Sequence, residues 1–154
     1  MRRLADALHD VALTLWVGGL WVIGYLVAPT LFATLSNDRQ TAGLLAGRLF
    51  ELMGWIGLAC AVYLLLFVLL RVGTTALRRW NFWLLVLMLL LTAVSLFGVQ
   101  PLLAQLKADA LPREVMESVL RNRFAAWHGV SSILYLVQTL LGLLLVTSSG
   151  RATR

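Results

Sequence analysis

The sequence predicts an all-α, polytopic integral membrane protein, a single transmembrane domain built as a four-helix bundle. Three observations predict it. Charged residues make up 13% of the chain and apolar ones 60%, whereas soluble domains carry roughly 25% charged residues. Four stretches, 11–35, 52–70, 80–100 and 124–150, contain no Asp, Glu, Lys or Arg, and each approaches or exceeds the roughly 20 residues with which a helix crosses about 30 Å of hydrocarbon. The stretches are continuously apolar, without the alternation of a transmembrane β-strand, so helices remain as the way to pair every backbone group in lipid. Four spans take up most of the 154 residues and leave no separate soluble domain.

The first helix is expected over about 4–35, with Pro29 as a kink or as the point where the chain leaves the membrane. The Met1-Arg2-Arg3 start is followed by Asp6, His9 and Asp10 and then by an apolar run too long for a signal peptide, so this helix is expected to stay in the mature chain. The turn "SNDRQ" (36–40) lets Asn37 cap a second helix over about 38–71, with Gln40 at the capping-box position. A third helix is expected over about 79–101 and a fourth over about 124–148. Between them, Val115, Met116, Val119 and Leu120 recur at helical spacing while Arg113, Glu114, Glu117, Arg121 and Arg123 take the other faces, which predicts an amphipathic interfacial helix over about 112–123.

The connection "RVGTTALRR" is basic with no acid, and the positive-inside rule places it in the cytoplasm together with both termini. The assignment rests on that loop, because the count of Lys plus Arg is seven on that side against six on the other. The net charge of +6 is spread over tails and loops, with no basic stretch interleaved with aromatics. It fits a lipid bilayer as the partner and no nucleic acid. Cys60, the only cysteine, lies mid-span and cannot form an intramolecular disulfide, so it is expected to be a small core filler.

Antiparallel packing sets His9 near one membrane edge and His128 near the other, on the order of 25 Å apart at helical rise. They cannot share one metal ion or one haem iron, and no cluster of three or four metal ligands exists in the sequence. Several polar groups fall at one level near the outer leaflet: Arg48 and Glu51 on helix two, Gln100 ending helix three, and Trp127, His128, Ser131, Ser132 and Tyr135 on helix four. These are the candidate ligand-binding residues, and the sequence reading expects His128 in a cluster with Arg48, Glu51 and Gln100. Ionisable side chains within spans point to function by default. The stripe His128, Ser132, Tyr135, Thr139, Gly142, with Ser131 and Gln138 alongside, is expected to face the bundle interior, either as helix-to-helix glue or as the wall of a cavity. Catalytic machinery is incomplete, since the two serines beside His128 have no positioned base, orienter or oxyanion hole.

The opening "LHDVALTLWVGGL" of helix one resembles that of the copper-resistance D domain and of haem-binding protoporphyrinogen oxidase of the J type. The second resemblance implies His9 as a haem ligand, although the partner lysine of that type has no counterpart in the third span here. A wider resemblance runs through "WVGGL", "APTLFATL" (28–35), "AGLLAGRLFE" (42–51) and "FAAWHGVSS" (124–132). These look like the bacterial family known as a domain of unknown function, DUF4149, which is similar to eukaryotic transmembrane protein 205. That resemblance implies a four-helix protein of the bacterial inner membrane and no established reaction. The function expected is small-ligand binding or an accessory role, with a polar pocket in the outer leaflet. The alternatives are a haem b redox protein, with His9 or His128 as an axial ligand, and a small-solute transporter that works as a homo-oligomer.

Overall fold

A computed structural model of the chain describes residues 2–110 and 118–149, with side chains described for 3–106 and 122–148. Four helical spans, Arg3–Thr34, Arg39–Arg78, Trp80–Leu106 and Asn122–Ser148, are long and apolar enough to cross a membrane. The first consists of α1 (Arg2–Val22), a π-helical segment Ile23–Val27 and α2 (Ala28–Thr34). The second is α3 (Arg39–Val72), closed by a 3-10 turn Gly73–Arg78. The third repeats the plan of the first, with α4 (Trp80–Ala93), a π segment Val94–Val99 and α5 (Gln100–Ala110), and the fourth is α6 (Ser118–Ser149).

Both π segments have one cause. A proline inside a helix has no N–H to give, and its ring strikes the carbonyl four residues back. Pro29 and Pro101 each stand two residues beyond a π segment, in which the backbone bond lengthens by one residue, as from Ala28 N–H to the Ile23 carbonyl and from Gln100 N–H to that of Ser95. The widened turn takes up the misfit. Pro29 therefore does not end its helix, which continues to Thr34, and the third helix runs past Pro101 to Ala110.

At the 36–40 turn the helix cap differs from expectation by one residue. Asp38 rather than Asn37 caps α3, its carboxylate accepting from the Thr41 amide at 3.0 Å. The cap must stand three residues before the amide it receives, and that puts Thr41, not Gln40, at the third helical position. Gly73 ends α3 with φ of +63°, a conformation that costs glycine nothing. Residues 111–117 lie outside those described, so the expected interfacial helix falls largely there; residues 118–123 are the first turns of α6.

The core lies between the spans at mid-height. Trp16, Val17 and Leu20 of α1 meet Met53, Cys60, Ala61 and Leu64 of α3, Leu84, Leu85 and Met88 of α4, and Leu145 of α6. Cys60 is a buried free thiol, as expected of core filler. Outward faces carry exposed Leu15, Val62, Leu66, Leu90, Leu140 and Leu143. An apolar exterior of this extent suits acyl chains rather than water. Towards the end opposite the termini the bundle separates into pairs, α2 leaning on α3 and α5 on α6.

Candidate functional site

The expected outer cluster does not assemble among the described residues. Arg48 donates to Glu51 at 3.0 Å, but this pair lies on the outside of α3, with Arg48 79% exposed. His128 is exposed and stacks on Phe124, with ring centroids 5.8 Å apart and planes 10° from parallel. No hydrogen bond or ion pair among the described residues joins His128 to Arg48, Glu51 or Gln100. Trp127 and Ser132 are exposed and Ser131 and Gln100 half-buried, and the Ser132 hydroxyl donates to the His128 carbonyl one turn back. Sequence spacing gave the height of these groups but not their rotation, and the splaying into two pairs leaves each helix a wide outer face at that level.

The lower part of the α6 stripe does face inward. Tyr135 donates to the Leu20 carbonyl at 2.5 Å, and the Tyr25 and Thr139 hydroxyls are 2.9 Å apart. The Gln138 amide donates to the Thr92 hydroxyl at 2.5 Å and to the Met88 carbonyl at 3.3 Å. Gly142 packs against Val17 and Met88. Each polar group is used by another, so this seam joins α1, α4 and α6 in the apolar interior.

A cavity lies at the opposite end, where the start of α1, the end of α6 and the 73–79 turn meet. It encloses about 270 Å³. Its depth is apolar, lined by Leu13, Leu64, Val68, Leu85 and Leu145, with the rings of Phe67 and Phe82. Its polar lining consists of His9, Arg71, Arg79 and Asn81. Its polar groups come from the ends of three helices: α1 supplies His9, the last turn of α3 supplies Arg71, and the N-cap and first turn of α4 supply Arg79 and Asn81.

Each polar group is held differently. Arg71 pairs with Asp6 at 3.1 Å and lies over the Phe67 ring, 5.7 Å from its centroid. His9 sets Nδ1 3.1 Å from the Asp10 carboxylate and packs on the same Phe67, ring centroids 4.8 Å apart. Arg79 has no ion pair among the described residues. The Oδ1 of Asn81 is buried with no hydrogen-bond partner. The first turn of α4 has no side-chain cap and no acidic residue, so its positive end is uncompensated beside the arginines.

These residues do not fit a haem. The cavity is smaller than the roughly 300–1,000 Å³ of pockets that enclose drug-sized ligands. The His9 ring is already packed on Phe67, and among the described residues no second histidine, lysine or methionine lines the cavity to complete an axial pair. Among the described residues no three His, Cys, Asp or Glu side chains gather as a metal site.

In the sequence, Arg71 and Arg79 belong to the basic connection that marks topology, and Asn81 carries no assigned role. A signal was present: two arginines flank a tight turn, Asn81 follows two positions later, and antiparallel packing brings His9 to the same level.

Fold and surface define an all-helical, multi-pass membrane protein. The chain belongs to the family described as a domain of unknown function, DUF4149, whose family model matches residues 11–110. The matched part runs from the first turns of span one to the end of α5, so the "FAAWHGVSS" stretch of α6 lies beyond it. No curated protein and no solved structure matches the chain.

Proposed function

We propose that this protein is a ligand-binding accessory protein of the bacterial inner membrane, that its ligand occupies the cavity at the terminal end of the bundle, and that this end faces the cytoplasm. The observation that carries the reading is the cavity itself, a partly open recess of about 270 Å³ with an apolar depth and a polar edge. Empty apolar volume costs stability in proportion to its size, so a ligand that fills it stabilises the fold by mass action. The basic turn Arg71, Arg78, Arg79 supports the cytoplasmic assignment. The ligand site thus moves from the outer level expected from sequence to the level of His9.

The test is to purify the protein from its own membrane, extract it with organic solvent and identify small molecules by mass spectrometry, beside the variant Val68→Phe, whose ring fills the cavity. A near-stoichiometric compound present with the native chain and absent from a folded Val68→Phe supports the reading. The same extract from both chains refutes it.

A further inference from the structure

Resting on that ligand-binding reading, we infer that the cavity selects a phosphate-bearing headgroup with a neighbouring hydroxyl, its apolar remainder lying along Leu13, Leu64 and Leu145. Four observations converge on this chemistry. Arg71 and Arg79 approach the cavity from the two sides of the 73–79 turn. Arg71 is already balanced by Asp6, but Arg79 has no counter-charge among the described residues, so one positive charge is left over at the edge. The start of α4 adds the partial positive charge of a helix end without a side-chain cap. Guanidinium groups present planar, paired donors that match phosphate oxygens.

The fourth observation separates a plain anion from a hydroxyl-bearing one. Asn81 Oδ1 is a buried acceptor without a donor, and a buried polar atom of this kind calls for a partner. An ionised phosphoester group by itself brings only acceptors. A phosphoglycerol group brings both, with its phosphate to Arg79 and the α4 terminus and its hydroxyl donating to Asn81. The apolar depth then takes the start of an acyl chain, and the outer helix faces are already apolar where the rest of that chain would run.

The same chemistry has two sources, a phosphatidylglycerol headgroup and a free glycerol phosphate, and one experiment distinguishes them. Full-length protein in mild detergent is delipidated, then offered phosphatidylglycerol, phosphatidylcholine or glycerol 3-phosphate, and retained adducts are counted by native mass spectrometry. Expected is phosphatidylglycerol retained at least fivefold over phosphatidylcholine, lost at least fivefold in Arg79→Gln and largely restored in Arg79→Lys. Arg79 is exposed and without an ion pair, so its substitution leaves the fold intact by circular dichroism. Retention of glycerol 3-phosphate without lipid, also dependent on Arg79, supports the same headgroup chemistry from a soluble source. Phosphatidylcholine held as well as phosphatidylglycerol and unaffected by Arg79→Gln, yet released by Val68→Phe, overturns the phosphate assignment while leaving the cavity as a ligand site. Equal adducts on the native chain and Val68→Phe, or none on either, overturn both.

Discussion

Replacing Gly57 by alanine puts a methyl carbon 2.5 Å from Nε1 of Trp16 and 3.0 Å from its Cδ1. Non-bonded carbon contacts settle at about 3.5–4.0 Å, so roughly 1 Å has to be found between α1 and α3. Trp16 cannot provide it, because its indole is completely buried in the core with Leu20 and Leu64. The helices must separate or the ring must leave its rotamer, and overpacking of this kind costs about 1–3 kcal/mol. Gly19→Ala is the control: its methyl would meet the Met53 sulfur at 2.6 Å, but that is the flexible end of a thioether, and a cost below about 1 kcal/mol is expected. Trp16→Phe should rescue Gly57→Ala. It removes the crowded Nε1, which is also a buried donor without a partner, so the double variant should lose at least about 1 kcal/mol less than the sum of the single losses. The assay is reversible unfolding in mixed detergent and dodecyl sulfate micelles, followed by circular dichroism. A Gly57→Ala protein within about 0.5 kcal/mol of the parent, or strict additivity with Trp16→Phe, would refute the packing of α1 on α3 described above.

Three further outcomes are expected. A double-mutant cycle of Gln138→Leu with Thr92→Val should give a coupling near the average of about 0.6 kcal/mol for hydrogen bonds within membranes and not above about 1.7, because each group keeps a second bond to the Met88 carbonyl. Asp38→Ala should speed hydrogen exchange of the amides at the start of α3, while Asp38→Asn should not. The hydrogen bonds from Thr41 hold the Asp38 carboxyl below its ordinary pKa of 3.8. Its capping is therefore fully present above that ordinary value and is lost as pH falls through the lowered one, which the same exchange measurement should register only in strongly acidic solution. Protein purified from haem-replete cells should show no Soret band; a band abolished by His9→Ala would overturn the fit argued for the cavity.

Much of the fold was legible because charge-free length is an unambiguous signal in lipid. A charged turn marks the start of α3 at Arg39, whereas α5 and α6 run on past the bounds expected from charge-free length. Misses came where local chemistry is decided by one position or by three-dimensional accommodation. Asn37 and Asp38 are both good caps, and only the register of α3 chooses between them. Pro29 reads as a breaker until the preceding turn is known to have widened. In the candidate site, the inward run Tyr135, Gln138, Thr139 was legible, since polar groups at helical spacing in mid-membrane must find partners. Farther along the same face the spacing placed His128 inside, but α6 there packs on α5 with His128 outside the contact. The terminal cavity was not legible as a void. Its walls are ordinary leucines and valines, and whether Leu13, Leu64 and Leu145 fill the space between them depends on interhelical distances that no periodicity encodes.

The most direct test of the proposed ligand site is an experimental density map of the protein taken from its native membrane in mild detergent without added lipid. The account predicts non-protein density in the cavity between α1, α3 and α4, with its polar end within hydrogen-bond reach of Arg79 and Asn81 and its apolar end beside Leu145. A map in which Phe67 and Phe82 close on each other, leaving no room and no such density, would contradict it.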